Sequence, residues 1–280
     1  MGYIALVLVS VMLGFIFIGV PITFSLGGAS ILSRVAEGGL QSIPFDMAAS
    51  RMVYGINSFT WVAIPFFLFL GQLMNSSGLT DRIFKFALVV VGHIKGGLAH
   101  VNVLASLIFA GMSGSASADA AGLGRVVVPA MEKVGYNRLY AATVTAASAT
   151  IGPIFPPSIP AIVYAGVAQV SVLKMFIGAI VPALMLTSVM MFMCAYYAYK
   201  HDHPKQKRAT FPEFVEASRR SIAAIIAPLL LIVGMYSGVF TATEAGAVGI
   251  AYAILLSIFY RTFKWKDFIK AVVYLMTDLW

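Results

Sequence analysis

GMSGSASAD, residues 111–119, places two glycines, three serines and an aspartate between two apolar runs, 97–110 and the return from Ala120 to Met131. The first run is 14 residues, about 21 Å of helix, and the second is shorter, so neither spans ~30 Å of hydrocarbon alone. Lys85, Lys95, Lys133 and Arg138 put both ends of the 96–136 segment on the cytoplasmic side under the positive-inside rule. The segment is therefore expected to form a re-entrant helical hairpin tipped by GMSGSASAD. Irregular backbone at membrane depth survives only where protein or a water-filled cavity surrounds it, so the tip is expected to line a site.

The composition sets this reading in a membrane protein. The 280 residues are 60% hydrophobic and 11% charged, with a mean hydropathy of +0.91, more apolar surface than one soluble core hides. Apolar runs at 3–33, 53–74, 97–110, 138–151, 159–199, 222–240 and 245–260 lack strand alternation, so the expected fold is all-α and polytopic rather than a barrel. The net charge of +8 is carried at the ends of apolar runs and reads as topology signal, not as a nucleic-acid surface. The single cysteine, Cys194, excludes an intrachain disulfide. Residues 3–20 lack a basic n-region and continue past Pro21, so they read as a retained first span with its N-terminus outside. The 34–60 connection has balanced charge and is expected outside.

TIGPIFPPSIP, 150–160, breaks the run 138–167 with four prolines and a glycine. Proline removes an amide donor and disfavours helix just before it, so a broken helix is expected, with the Thr150 and Ser158 hydroxyls free for another partner. KHDHPKQKRATFPEFVEASRR, 200–220, carries six Lys/Arg and reads as a cytoplasmic loop between two membrane blocks. GFIFIGVPITFS, 14–25, resembles GMYSGVFTATEAG, 234–246, and each precedes an apolar helix and then an amphipathic stretch, 43–52 and 264–273. That faint repeat points to one architecture begun twice in opposite orientation.

At the tip, serine hydroxyls and carbonyls suit a hard cation, and free helix N-termini suit an anion; close packing of small residues is the structural alternative. Asp119 reads either as a functional acid at membrane depth or as the cap of the returning helix. Thr241 and Glu244 have capping-box spacing. Arg125, six residues after Asp119, has no partner legible in the sequence. GMSG, 111–114, also fits the pattern around the nucleophile of intramembrane serine proteases, which need a base beside Ser113. His93, His100, His201 and His203 all fall near the cytoplasmic side, His100 about 20 Å of helix from Ser113.

GVPITFSLG, SFTWVAIPFFLFLGQLMNSSGLTDR, the whole of 96–136, TIGPIFPPSIPAIVYAGV and GVFTATEAGAVGIAYA together resemble the large membrane subunit of tripartite ATP-independent periplasmic (TRAP) transporters. The resemblance implies an inverted-repeat, elevator-type transporter of the ion transporter superfamily kind, in the bacterial inner membrane. It implies sodium as coupling ion, no organic cofactor, a small four-helix membrane subunit and a periplasmic substrate-binding protein as partners, and an organic acid as cargo. The organic acid would be a dicarboxylate, keto acid or sugar acid. Carried over by motif, the substrate would meet Ser113, Gly114, Ser115, Pro156, Pro157 and Ser158, and sodium would meet Ser115, Ser117, Asp119, Thr150 and Gly152, with Pro153 in the same unwound stretch. The domains follow: 1–95 scaffold and amphipathic arm; 96–199 transport block, with hairpin 96–136, unwound helix 138–167 and span 170–199; 200–220 loop; 221–280 the start of a second, incomplete repeat. The family pattern continues beyond the region reached by Trp280, so the sequence is expected to be a fragment. A stand-alone sodium- or proton-coupled anion carrier, an intramembrane hydrolase and a truncated scaffold that moves nothing remain the alternatives.

Overall fold

Gly19 and Pro21 divide the long N-terminal apolar run. Gly19 takes φ 90° and Pro21 offers no amide, so α1 (Gly2–Phe17) ends and α2 (Ile22–Gly38) begins within the run. The apolar run 3–33 is thus two packed helices, with the turn between them inside the stretch 14–25. The computed structural model describes residues 2–39, 41, 43, 45–57, 59–76 and 78–278. The expected external connection, 34–60, and the last residues of the expected second repeat, Leu279 and Trp280, fall in part outside the described residues.

The residues up to Asn57 make one compact unit of α1, α2 and α3 (Phe45–Ile56). The second unit begins with a 3-10 turn, Phe59–Val62, and holds α4 (Ala63–Ser76), α5 (Leu79–Val91), α6 (Gly97–Ser113), α7 (Ala116–Lys133), α8 (Arg138–Ala149), α9 (Ile159–Ala168), α10 (Val172–Lys200), α11 (Phe211–Tyr236), α12 (Ala242–Phe259) and α13 (Trp265–Asp278). The described residues contain no strand. Among the described residues three helices, α10, α11 and α12, are long and apolar enough to cross a membrane; at 29 residues α10 reaches about 43 Å.

Helix α6 is the core of the second unit. It packs against α4, α5, α7, α8, α10 and α11, and all but three of its residues are buried. By contrast α10 exposes Val181, Met185, Val189 and Phe192, an apolar surface that suits lipid rather than water. Small residues set the close approaches. A Cβ on Gly246 would meet the Phe66 Cβ at 2.8 Å, and one on Gly249 would meet Leu70 Cδ2 at 2.7 Å, so α12 lies directly on α4.

One local expectation is corrected. The segment 200–220 is not one loop: α10 reaches Lys200 and α11 starts at Phe211. Thr210 and Glu213 form a capping box, with the Thr210 amide donating to Glu213 Oε2 at 2.7 Å, and Pro212 sits in the first turn, where its missing amide does no harm. The remaining connection straps the base of the α6–α7 hairpin. Gly96 N–H donates to the Pro204 carbonyl at 3.3 Å, the Tyr136 hydroxyl donates to the same oxygen at 3.3 Å, and Lys95 pairs with Asp202. The Lys95 ammonium holds the Asp202 carboxyl below its usual range, whereas burial and then His201 push the His203 imidazole down.

The Thr241–Glu244 capping box forms as expected, with the Glu244 amide donating to Thr241 Oγ1 at 3.3 Å and the Thr241 amide to Glu244 Oε2 at 2.7 Å. The two stretches read as a repeat share a geometry: Gly19 and Gly238 both take positive φ between paired helices, and α3 and α13 follow α2 and α12.

Gly246→Leu is expected to prise α12 from α4 at about 1–3 kcal/mol, read as a lowered Tm in detergent. Gly178→Leu on α10, where a Cβ meets nothing within 4 Å, should leave Tm within a degree or so of wild type, about the effect of a neutral surface change.

Candidate functional site

The hairpin turn is shorter than its sequence suggested. Helix α6 continues through Gly111, Met112 and Ser113, and α7 begins at Ala116, so only Gly114 and Ser115 leave helical geometry. Gly114 takes φ 60° and ψ 12°, with its N–H on the Ala110 carbonyl at 3.2 Å. Ser115 is extended and caps α7, its Oγ accepting from the Ala118 amide at 3.4 Å. The cap of the returning helix is therefore Ser115, not Asp119.

The break after α8 is equally self-supporting. Successive turns close Gly152 N to the Ala149 carbonyl at 3.1 Å and Phe155 N to the Ile151 carbonyl at 2.8 Å. Ser158 caps α9, accepting from the Ala161 amide at 3.2 Å while its hydroxyl donates to the Pro153 carbonyl. Thr150 donates to the Ala147 carbonyl at 2.6 Å. The Thr150 and Ser158 hydroxyls, expected free, both spend their protons within their own segment: Thr150 bonds back to the end of α8, and Ser158 serves the Pro153 carbonyl, which Pro157 cannot reach with an amide.

Tip and break meet backbone to backbone. The Ile159 amide donates to the Gly114 carbonyl at 3.4 Å. A Cβ on Gly114 would sit 2.5 Å from the Pro157 carbonyl oxygen, and one on Gly152 would sit 3.2 Å from the Ser115 carbonyl. Ser113, Gly114, Pro156, Pro157 and Ser158 are buried there, Ser115 is half-buried, and Ser117 and Thr150 are exposed. Ser115 and Ser117 share a hydrogen bond at 3.0 Å.

Asp119 is separated from that exposed edge. Two helical residues from Ser117, it points about 200° away from it, and its side chain is fully buried with neither carboxylate oxygen hydrogen-bonded. The Ser106 hydroxyl on α6 donates to Ser148 Oγ at 2.9 Å. The structure thus groups Ser115, Ser117 and Gly152 on one side and leaves Asp119 on the other.

Behind Asp119 runs a buried polar ladder that the sequence reading missed. Asn102 donates to Thr145 Oγ1 at 2.7 Å, and Ser148 donates to Asn102 Oδ1 at 3.3 Å. Asn102 and Ser106 are four residues apart on α6, and Thr145 and Ser148 three apart on α8, spacings that share a helix face. Asn75 on α4 was also missed. Its Nδ2 donates to the Ala118 carbonyl at 3.2 Å, and a Cβ on Gly122 would collide with its amide at 2.0 Å.

His100 offers Ser113 no base: its Nδ1 lies 3.1 Å from the Gly96 carbonyl, at the opposite end of α6. Arg125 is exposed and forms no ion pair among the described residues.

A hairpin docked on a broken helix, within a bundle whose longest helices can cross a bilayer, defines a polytopic helical membrane protein with an internal polar site. The pattern of the tripartite ATP-independent periplasmic transporter DctM component matches residues 9–277, and the chain belongs to that family. It is 39% identical over 259 residues to the sialic acid TRAP transporter large permease protein SiaM of Vibrio cholerae, covering 92% of this chain and 60% of that protein. It is 41% identical over 257 residues to the sialic acid TRAP transporter permease protein SiaT of Haemophilus influenzae, 92% of this chain and 41% of that one. With the 2,3-diketo-L-gulonate TRAP transporter large permease protein YiaN of Escherichia coli the identity is 37% over 259 residues, 91% of this chain and 60% of YiaN. The chain therefore spans about 60% or less of the length of these relatives.

Gly114→Ala is expected to lower Tm, because it adds a strained positive φ, about 1–3 kcal/mol, to a collision with the Pro157 carbonyl. Gly135→Ala, at φ 100° in open space, should lower Tm through backbone strain alone.

Proposed function

We propose that this chain forms part of the permease of a sodium-coupled, binding-protein-dependent importer of an organic acid in the bacterial inner membrane. The observation that carries the proposal is the direct apposition of the Gly114–Ser115 turn and the Gly152–Ile159 break. Opposed non-helical segments inside a helical bundle are the usual construction of transporter ion and substrate sites.

Ser115, Ser117 and the backbone beside Gly152 form the edge that would take sodium, with Thr150 exposed near the start of the same break. Hydroxyl and carbonyl oxygens suit that hard cation. Ser113, Gly114, Pro156, Pro157 and Ser158 would shape the carboxylate end of the substrate site. Asp119 would act from behind the tip as a buried charge that favours the cation without touching it. The relatives are named for sialic acid, 2,3-diketo-L-gulonate and C4-dicarboxylate, and one for isethionate, which supports an anionic cargo.

In this reading the hairpin, α8 and α9 travel together, because Ile159 N–H to Gly114 carbonyl and the α6–α8 ladder join them into one body. The spans at 3–36 and 61–76 would form the stationary scaffold of an elevator. A small four-helix membrane subunit and a periplasmic binding protein would complete the system.

Asp119→Asn in the complete protein, reconstituted with its partners, should weaken apparent sodium affinity for uptake by roughly 10–100-fold, as loss of an outer-sphere charge does at metal sites, with insertion unchanged. Uptake that rises with sodium as in wild type would remove Asp119 from the coupling site; uptake indifferent to sodium in the wild type would sink the proposal itself.

A further inference from the structure

On the side marked cytoplasmic by its basic residues, a cavity of about 1010 Å³ opens between α5, the 206–210 connection and the first turns of α11. Its walls differ in kind. Leu88, Val89 and Ala217 supply apolar surface, while Arg82, Lys85, Lys207, Arg208 and Arg220 supply cations.

The acids that share the cavity are largely engaged. Glu213 accepts from the Thr210 amide at 2.7 Å, and Glu216 pairs with Arg220. Asp81 is the remaining carboxylate of the lining. Lys85, Lys207 and Arg208 form no ion pair among the described residues.

One wall is held rigid. Arg82 lies 3.7 Å over the Tyr260 ring and donates to the Arg220 carbonyl at 3.2 Å, while Ser221 donates to the Arg82 carbonyl at 2.8 Å. Alongside, Phe211 and Val215 on α11 are 78% and 46% exposed. Those side chains put exposed apolar surface on the helix that carries part of the basic lining.

Unpaired cations beside an apolar wall fit an amphiphile better than a free anion, which has no use for Leu88 or Val89. We propose that this groove seats the phosphate headgroup of an anionic phospholipid from the cytoplasmic leaflet. The headgroup would lie against Lys85, Lys207 and Arg208, with the first carbons of its chains along Leu88 and Val89. Such basic recesses between membrane helices are where anionic headgroups gain most. The α11 start and the strap at the hairpin base belong to one connection, so an occupied groove would also steady that strap.

The test is native mass spectrometry of the complete protein in detergent, titrated separately with phosphatidylglycerol and phosphatidylcholine, for wild type and for Lys85→Gln/Lys207→Gln/Arg208→Gln. Phosphatidylglycerol retention should fall on the order of a hundredfold in the triple variant, with phosphatidylcholine retention the same in both proteins. Millimolar inorganic phosphate should leave the bound phosphatidylglycerol in place. Equal phosphatidylglycerol retention by the two proteins overturns the site, and displacement by phosphate reassigns it to a free anion. In lipid-free wild type an amine-reactive reagent should modify Lys85 and Lys207, and phosphatidylglycerol should protect them. This reading survives a variant that fails to fold; lysines already shielded without lipid would mean that protein covers the groove, and would overturn the proposal.

Discussion

Backbone polar groups withdrawn from water must find partners, and the centre of this protein is organised around that demand. Two helices are interrupted, at Gly114–Ser115 and at Thr150–Ser158, where hydrocarbon could not repair them. Each interruption first caps itself, through Ser115 on the Ala118 amide and Ser158 on the Ala161 amide. The two then complete one another through the Ile159 amide and the Gly114 carbonyl. Gly114 is needed because a Cβ there would lie 2.5 Å from the Pro157 carbonyl oxygen, and at Gly152 a Cβ would make a tight 3.2 Å approach to Ser115.

That apposition explains the setting of α6. A helix enclosed by six others can carry polar residues only if they pair, and Asn102, Ser106, Thr145 and Ser148 do so among themselves. Asp119 is the exception. Its carboxylate, buried without a hydrogen bond, is the most expensive group in the block in a low-dielectric interior. A group so placed is a structural burden unless a cation or proton answers it, which is why the proposed coupling site includes it despite its distance from Ser117.

Much of the fold could be read from the chain. Low charge and long apolar runs specified a helical membrane protein, and prolines at 153, 156, 157 and 160 specified the break. The Thr241–Glu244 cap was legible because its partners are three residues apart. The expectations that failed were local extrapolations from polarity. A polar stretch was read as irregular, yet glycine and serine at 111–113 remain helical because neighbouring helices pack on them: Gly111 meets Pro228 of α11 and Gly71 of α4 meets Ser113. The charged segment 200–220 was read as loop throughout, although Thr210, Pro212 and Glu213 carry a helix start.

The sequence by itself determined the helical membrane class, the two interruptions and the residues available to a site, since these follow from composition and from short-range backbone chemistry. Only the tertiary structure decided which of those residues meet. It joined Gly114 to Ile159 and brought Asn75 and the Asn102–Ser148 ladder into the block. Such pairings link residues about 40 positions apart, and no local rule specifies them, because helix packing sets which faces touch.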